Sequence, residues 1–371
     1  MIRSRWRWLP AAALLAVMVG CVPEPSPVDE TLRPTTPTPT TTAASPILAG
    51  ENAGFAASYA PLFDSDADLA KHFDLIAASG AKWVRIDFSW AAVQWGGPTS
   101  YDWAIIDRAV TAANARGLHV LANPAYTPSW ARAGSDDKYP PVDPNTYASF
   151  VQRAVERYAP QGVHHWEIWN EPNVPQFWKP RPDPVAYLNL LRPASTAIHA
   201  VDPTATVITG GTATAGPSLD SMGGDGVSYS PYRWLRLLYE NGGRSSFDAV
   251  ATHPYATFPY SPLESWGSTM WTADMHALMV SKGDGAKKLW GTEAGYPTGS
   301  ASGAVSESTQ AQYIKDYLTA WSGWVSWAGP LFIYQMRDRG TNLADREDNF
   351  GILHRDFSKK PAYNAFDQGV G

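Results

Sequence analysis

Strand-like and helix-like segments alternate along most of the chain. A helical face of Leu69, Phe73 and Ile76 ends at Gly80, and a buried-strand pattern follows directly. The same order repeats, and strands are predicted at residues 54–59, 82–88, 118–123, 164–170, 205–210, 247–253, 288–293 and 330–335. Eight strands with helices between most of them, over about 320 residues, predict an α/β fold, a closed (β/α)8 TIM barrel of parallel strands.

Three helices are predicted from their first residues. Asp143, Asp183 and Ser230 each precede a proline, the order that is typical of an N-cap followed by the first helical turn. Pro193 lies inside the second of these helices and is expected to kink or shorten it. A doubly wound open sheet is the alternative architecture. No glycine-rich turn follows the first predicted strand, which favours the barrel.

The first 21 residues have the pattern of an export signal. Three arginines precede an apolar run at residues 8–20, which is too short to span a bilayer stably and ends directly at Cys21. The segment Met-Val-Gly-Cys resembles a bacterial lipobox. Residues 1–21 are therefore predicted to be a lipoprotein signal peptide with Cys21 as the lipidation site, and ordinary cleavage is the alternative.

Residues 22–48 contain seven Pro and seven Thr and almost no large apolar side chains. Such a segment cannot bury enough surface to offset its conformational entropy, so it is predicted to be an extended linker. Residues 49–371 have a globular composition throughout and are predicted to form one catalytic domain. The expected location is outside the cytoplasm, with a lipid anchor to the bacterial cell membrane as the one membrane contact.

Composition excludes several classes of function. The formal net charge is −6, whereas a nucleic-acid-binding surface is normally basic. The single cysteine excludes an intramolecular disulfide and a four-cysteine zinc site, and no His-Glu-x-x-His cluster is present, so no metal or cofactor is expected. The chain has 17 Trp and 17 Tyr, and such rings can stack on sugar faces. A saccharide partner is favoured, and a monomer is expected.

Polar and ionisable residues lie at the C-terminal ends of four predicted strands. They are Arg85, Asp87, Asn170, Glu171, His253, Tyr255 and Glu293. Because the working residues of such barrels cluster at this end, these side chains are expected to meet at one mouth. Two glutamates suit glycosidic cleavage, since one carboxylic acid protonates the departing oxygen while the other carboxylate attacks or stabilises the anomeric carbon.

Two segments carry a family resemblance. Residues 166–173, Trp-Glu-Ile-Trp-Asn-Glu-Pro-Asn, resemble the acid/base strand of the large clan of retaining glycosidases built on (β/α)8 barrels. Residues 289–296, Leu-Trp-Gly-Thr-Glu-Ala-Gly-Tyr, resemble the nucleophile strand of the same clan, and within it the likeness is closest to glycoside hydrolase family 39. The resemblance implies an O-glycosyl hydrolase with Glu171 as general acid/base and Glu293 as nucleophile.

The resemblance also assigns neighbouring residues. Arg85 would keep Glu293 charged, Asn170 would bind the sugar 2-hydroxyl, and His253 and Tyr255 match the pair on the sixth strand, with Tyr255 donating to the nucleophile. Further substrate contacts are predicted at Trp90, Asn123, Trp178, Tyr296 and Tyr334. Asn123 stands where many members have His, and the eighth strand, ending at Tyr334, lacks the Trp that the clan often has there.

Other interpretations of the same residues stay open. Arg85 and Asp87 could pair with each other inside the barrel, and His253 could be structural. The chain could be a non-catalytic carbohydrate-binding barrel, or a transglycosylase in which a sugar, not water, accepts the glycosyl group. Retention of configuration depends on a separation of about 5–5.5 Å between the two carboxyl groups, which sequence does not give.

Overall fold

The computed structural model describes residues 46–57, 60–256, 260–264 and 269–370. The predicted signal peptide, its lipidation site Cys21 and most of the predicted linker lie outside the described residues. Within the part of the chain that is described, no helix has the length and apolar character needed to cross a membrane.

Eight parallel strands form the centre of the fold. They are β1 (Ala53–Ala56), β2 (Trp83–Ser89), β3 (His119–Ala125), β4 (His165–Asn170), β5 (Thr206–Gly211), β6 (Val250–Thr252), β7 (Leu289–Ala294) and β8 (Ala328–Ile333). They pair in the order β5-β4-β3-β2-β1-β8-β7-β6. Parallel bridges between Ile208 and Ala249 and between Thr212 and Thr252 join β5 to β6. The sheet is therefore nearly closed, which confirms the predicted barrel and contradicts the open-sheet alternative.

Helices follow the strands on the outside of the barrel. They are α1 (Asp66–Ala78), α2 (Trp90–Val93), α3 (Ala104–Asn114), α4 (Pro144–Tyr158), α5 (Pro184–Val201), α6 (Pro231–Glu240), α7 (Thr269–Ser281), α8 (Glu307–Ser322) and α9 (Pro361–Val370). The N-terminal ends of α4, α5 and α6 are as predicted, because the side chains of Asp143, Asp183 and Ser230 each accept a backbone N–H of the first turn.

Pro193 does not shorten its helix, which was one of the two effects expected from the sequence. Helix α5 runs through it for 18 residues. A proline removes one backbone hydrogen bond at a cost of about 3 kcal/mol, but apolar burial on both sides of it offsets that cost. Leu190, Leu191 and Ile198 are all buried and hold the helix against the barrel on either side of the proline.

The N-terminal end of the barrel interior is filled by aromatic rings. Trp83 meets Trp290 edge-on at 5.2 Å between ring centroids, and Trp290 stacks on Phe332 at 6.3 Å. His165 packs edge-on against Trp83 at 4.8 Å. These rings close the lower end of the barrel, so that the space above them opens at the C-terminal ends of the strands.

Candidate active site

A cavity of about 870 Å³ lies at the C-terminal ends of the strands. Its wall includes residues from the ends of seven strands or from the loops that follow them, namely Asp87, Ser89, Tyr126, Asn170, Glu171, Ala213, Thr214, Tyr255, Ala256, Glu293 and Tyr334. In barrels of this kind that end carries the chemistry, because loops after different strands converge there. The predicted mouth is therefore present as one continuous cavity.

Glu293 is held by two donors at the end of β7. Its Oε1 accepts a hydrogen bond from Arg85 Nη1 at 2.8 Å, and its Oε2 accepts one from the Tyr255 hydroxyl at 3.0 Å. Both contacts suit the ionised carboxylate. Burial raises the pKa of Glu293 above its ordinary value, while the charges of His253 and Arg85 act in the opposite direction.

Glu171 follows the last residue of β4 and faces Glu293. Its backbone N–H donates to the carbonyl of Gly211 at 2.9 Å, and its φ is +45°, which is uncommon for a residue other than glycine. Carboxylate oxygens of Glu171 and Glu293 and a ring nitrogen of His253 lie within 4.8 Å of one another. The structure thus brings together two carboxylates and one imidazole at the floor of the cavity.

His253 lies between the two carboxylates and is fully buried. Its Nδ1 is 2.8 Å from Glu171 Oε1 and 3.7 Å from Glu293 Oε2. Burial opposes a charge on the imidazole, but attraction to Glu293 and the hydrogen bond to Glu171 outweigh it, so the pKa of His253 is raised above its ordinary value. His253 is therefore part of the site and not an isolated core residue.

Arg85 is the buried cation beneath the cavity, with 2% of its side chain exposed. Each nitrogen of its guanidinium donates to a different side chain: Nη1 to Glu293, Nη2 to Asn170 Oδ1 at 2.8 Å, and Nε to Glu167 Oε2 at 2.5 Å. Asp87 is farther away, at 3.6 Å from Nη1. Arg85 therefore holds the nucleophile candidate more closely than it pairs with Asp87.

Several residues of the site were not predicted from the sequence. Glu167 had no assigned role, although it lies on β4 only four residues before Glu171. The loops after β3 and β8 supply further cavity residues, namely Tyr126, Asp137, Lys138, Arg339, Arg346, Glu347 and Phe350. Neither Glu167 nor the loop residues follow a periodic pattern that would have indicated a position in the site.

The structure places the predicted sugar contacts in two groups. Asn170 and Tyr334 line the cavity, and the Tyr334 hydroxyl donates to Glu347 at 3.2 Å. The other four, Trp90, Asn123, Trp178 and Tyr296, are buried and lie behind the cavity wall.

Packing explains the position of these four residues. Trp90 stacks on Phe150, and Trp178 packs edge-on against Trp169. Asn123 donates both amide hydrogens to carbonyls of β4, and the Tyr296 hydroxyl donates to a loop carbonyl. The two tryptophan rings, the Asn123 NH₂ group and the Tyr296 hydroxyl thus contact other protein groups and support the wall of the cavity.

A metal ion could be held, among the described residues, by the group of Glu171, His253 and Glu293. All three already make hydrogen bonds to protein groups: Glu293 to Arg85 and Tyr255, and Glu171 to His253. Acting as metal ligands would compete with these bonds. The arrangement therefore fits acid–base and nucleophilic chemistry by the carboxylates themselves.

The sequence profile of the Cellulase family, glycosyl hydrolase family 5, matches residues 48–330, more than half of the chain. The chain belongs to this family. A curated β-xylosidase from Geobacillus stearothermophilus is 30% identical to this chain over 173 residues, which make up 43% of this chain. The match spans about one third of that relative, 33% of its length.

Solved structures resemble this chain in fold. A family 39 glycoside hydrolase from the gut symbiont Bacteroides cellulosilyticus WH2 matches with a TM-score of 0.68 and 22% identity, over 87% of this chain and 64% of that chain. A monomeric β-xylosidase from Caulobacter crescentus CB15 matches with a TM-score of 0.68 and 20% identity, over 88% of this chain and 69% of that chain. The barrel fold is the one predicted from the sequence, and the family whose profile matches is family 5.

Proposed function

We propose that the chain is a glycosidase, which hydrolyses β-linked O-glycosidic bonds of an extracellular oligo- or polysaccharide with retention of configuration. The observation that carries the proposal is the short gap between Glu171 and Glu293, whose oxygens approach within 4.8 Å. Retaining glycosidases have carboxyl groups about 5–5.5 Å apart, whereas inverting ones leave about 6.5–9.5 Å for a water molecule. The gap supports direct attack by the second carboxylate.

Glu293 is the nucleophile in this proposal. An oxygen of its carboxylate bonds to the anomeric carbon as Glu171 gives its proton to the departing glycosidic oxygen, so the leaving sugar departs as an alcohol. Arg85 and Tyr255 orient the carboxylate for this attack. Asn170, whose Oδ1 is taken by Arg85, has its amide hydrogens available for the sugar 2-hydroxyl.

Glu171 reverses its role in the second step. Formation of the glycosyl ester removes the charge of Glu293, and the Glu171 carboxylate then takes a proton from water as the water oxygen attacks the anomeric carbon. The ester bond breaks, Glu293 is released as a carboxylate, and Glu171 is again protonated. His253, 2.8 Å from Glu171 Oε1, orients that carboxyl group through both steps.

Azide rescue of two alanine variants tests these assignments. In Glu293→Ala, azide should attack an activated aryl β-glycoside directly and yield the α-glycosyl azide. In Glu171→Ala, azide should take the place of water at the glycosyl ester and yield the β-glycosyl azide. Glu347→Ala removes another carboxylate of the same cavity and should yield neither product.

The anomer formed first by the wild-type enzyme, read by NMR before mutarotation, tests retention separately. A β anomer is expected. An α anomer, or wild-type turnover in both alanine variants, would show that the assignment is wrong. The leaving-group dependence adds a third readout, since Glu171→Ala should keep activity on aryl glycosides with good leaving groups and lose activity on natural glycans.

Export and lipid attachment at Cys21 complete the proposal. The basic start, short apolar run and lipobox-like segment before Cys21 support it. Cells fed an alkyne-tagged fatty acid should label the wild-type protein and not Cys21→Ser. Equal labelling of both, or recovery of the wild-type protein with the cytoplasmic fraction, would contradict this part of the proposal.

A further inference from the structure

Glu167 is a third carboxylate beneath the two that face the cavity. It lies on β4 with no exposed surface, and it is not part of the cavity wall, so its side chain cannot touch a substrate held there. A buried carboxylate is costly unless it is paired and hydrogen-bonded. The two-step reaction proposed above gives it no role.

Two routes join Glu167 to the nucleophile. Its Oε2 accepts from Arg85 Nε at 2.5 Å, and the same guanidinium donates to Glu293. Its Oε1 accepts from the hydroxyl of Thr292 at 2.9 Å, and Thr292 directly precedes Glu293 on β7. The position of Glu293 therefore depends on Glu167 in two ways, through the Arg85 side chain and through the neighbouring residue Thr292 on β7.

A third route joins Glu167 to the acid/base. Its Oε1 accepts the backbone N–H of Gly211 at 2.8 Å, and the carbonyl of Gly211 accepts the backbone N–H of Glu171 at 2.9 Å. Any side chain at position 211 would collide with its surroundings, since a Cβ there would lie 2.3 Å from His253 Nε2 and 2.6 Å from Thr292 Oγ1. Because residue 211 has no side chain, the end of β5 lies close enough for its backbone N–H to donate to Glu167.

The charge of Glu167 suits these partners. Arg85 Nε, the Gly211 N–H and the Thr292 hydroxyl all act as donors, and an ionised carboxylate can accept from all three. A glutamine has one acceptor oxygen, so its NH₂ group would face a donor on one side. Arg85 also lies between two carboxylates, so its positive charge is shared by Glu167 and Glu293.

We propose that Glu167 is a positioning residue for hydrolysis, which fixes Arg85 and Thr292 relative to Glu293 and Gly211 relative to Glu171. By taking a share of the Arg85 charge it also leaves Glu293 a stronger nucleophile. This inference rests on the proposed function.

Glu167→Gln tests the proposal through kcat, KM and a pH profile. Displacement of the reacting groups should lower kcat by about 100-fold, while KM stays unchanged because Glu167 does not touch substrate. The acidic limb of kcat/KM should move to lower pH, since loss of a neighbouring negative charge favours ionisation of Glu293. The groups that face Glu293 all remain in the variant, namely Arg85, Asp87, Glu171, His253 and Tyr255.

Asp284→Asn is the matched control. Asp284 has 4% of its side chain exposed and accepts from Arg244 and Lys287, but it lies in the loop before β7, at the opposite end of the barrel from the cavity. The Asp284→Asn substitution should lower the melting temperature and leave the pH profile of kcat/KM unchanged. If Glu167→Gln behaves in the same way, losing activity in proportion to unfolded protein with no movement of the acidic limb, the proposal is overturned.

Thr292→Val and Thr292→Ser test the same link should Glu167→Gln not fold. The valine variant removes the hydroxyl that Glu167 accepts and should lower kcat by roughly 3- to 10-fold with KM unchanged, whereas the serine variant keeps the hydroxyl and should retain wild-type kcat. Equal kcat in the two variants would overturn the proposal.

Glu293→Ala with azide is assayed alongside these variants. Without azide rescue, the assignment of Glu293 fails. With rescue but no effect of Glu167→Gln on the pH profile, the inference on Glu167 alone fails.

Discussion

The two ends of the barrel interior are filled by opposite kinds of side chain on the same strands. At the N-terminal end, β2 and β7 contribute Trp83 and Trp290, which pack against each other. Two residues farther along, the same strands contribute Arg85 and Thr292, which both contact Glu167. Because side chains of a strand alternate with a period of two, both layers face the same interior.

The difference shows that, on the same strand, residues near the N-terminal end stabilise the fold and residues near the C-terminal end support the cavity. The aromatic layer removes apolar surface from water and seals the lower end. The layer above it, here called the ionic layer, consists of Arg85, Glu167, Thr292 and His253 and lies between the aromatic rings and the cavity. Buried charges are tolerated there because each has a partner. Substitutions in the lower layer should therefore change stability, and substitutions in the upper layer should change turnover as well.

The largest effect is expected from Arg85→Met in the ionic layer. It leaves Glu167 and Glu293 without their shared cation, so unfolding free energy should fall by about 3–5 kcal/mol, and Glu293, the proposed nucleophile, loses an orienting donor. Urea denaturation measures the first effect and hydrolysis of an aryl glycoside the second. A variant as stable and active as wild type would contradict the ionic-layer interpretation.

The double variant Arg85→Met with Glu167→Leu sharpens that prediction. Removing both partners of a buried ion pair costs less than removing one, so part of the lost stability should return. Activity should not return, because Glu293 still lacks Arg85. This combination would separate the stability of the layer from its role in turnover.

Phe332→Ala tests the aromatic layer and should affect stability alone. Phe332 is fully buried and stacks on Trp290, so the cavity left behind should lower unfolding free energy by about 3–5 kcal/mol. The kcat and KM of the folded enzyme should stay at wild-type values. Phe332→Leu, which fills most of the space, should cost much less. A large fall in kcat at temperatures where the alanine variant is folded would break the comparison.

Tyr255→Phe should give an intermediate effect at the cavity. Loss of a hydrogen bond to a charged group costs about 1.5–3 kcal/mol, which corresponds to roughly a 10- to 150-fold fall in kcat/KM. Tyr296→Phe is the matched control, since its hydroxyl donates to a loop carbonyl behind the cavity wall. Similar losses in the two variants would mean that the Tyr255 hydroxyl has no special role at Glu293.

The same contrast explains which features could be predicted from sequence. The position of Glu171 and Glu293 at one cavity could be predicted because each closes a strand-like segment, and the C-terminal ends of parallel strands meet at one edge. The starts of α4, α5 and α6 could be predicted because a cap and a proline act within one helical turn. Both signals are local, or depend only on the order of elements.

Tertiary packing decided the features that sequence did not reveal. Trp90 and Trp178 follow strands whose ends line the cavity, but their rings turn toward neighbouring aromatic residues, and no sequence pattern gives that direction. From the sequence, Glu167 could equally be an exposed residue of an alternating strand. Its three partners come from other strands, β2, β5 and β7, and are far from it in the sequence. Its environment exists only once the barrel has closed.

The smallest expected effect is the pH dependence contributed by one histidine in each layer. The pKa of His165, in the aromatic layer, is lowered by burial to about 4, whereas that of His253 is raised. Between pH 6.5 and about 4, His165 is protonated in the unfolded chain and neutral in the folded one. His165 therefore lowers the unfolding free energy as pH falls through this range. His253 has the opposite sign. Its contribution to stability is complete below pH 6.5 and is lost as pH rises through its folded-state pKa.

Unfolding free energy measured across pH for wild type, His165→Gln and His253→Gln separates the two contributions. The difference between wild type and His165→Gln should change with pH only on the acidic side of 6.5, and that between wild type and His253→Gln only on the alkaline side. Slopes of the same sign for both histidines would mean that the carboxylates around His253 do not outweigh its burial. Both layers would then lower the pKa of a buried histidine, and the contrast between them would rest on side-chain type alone.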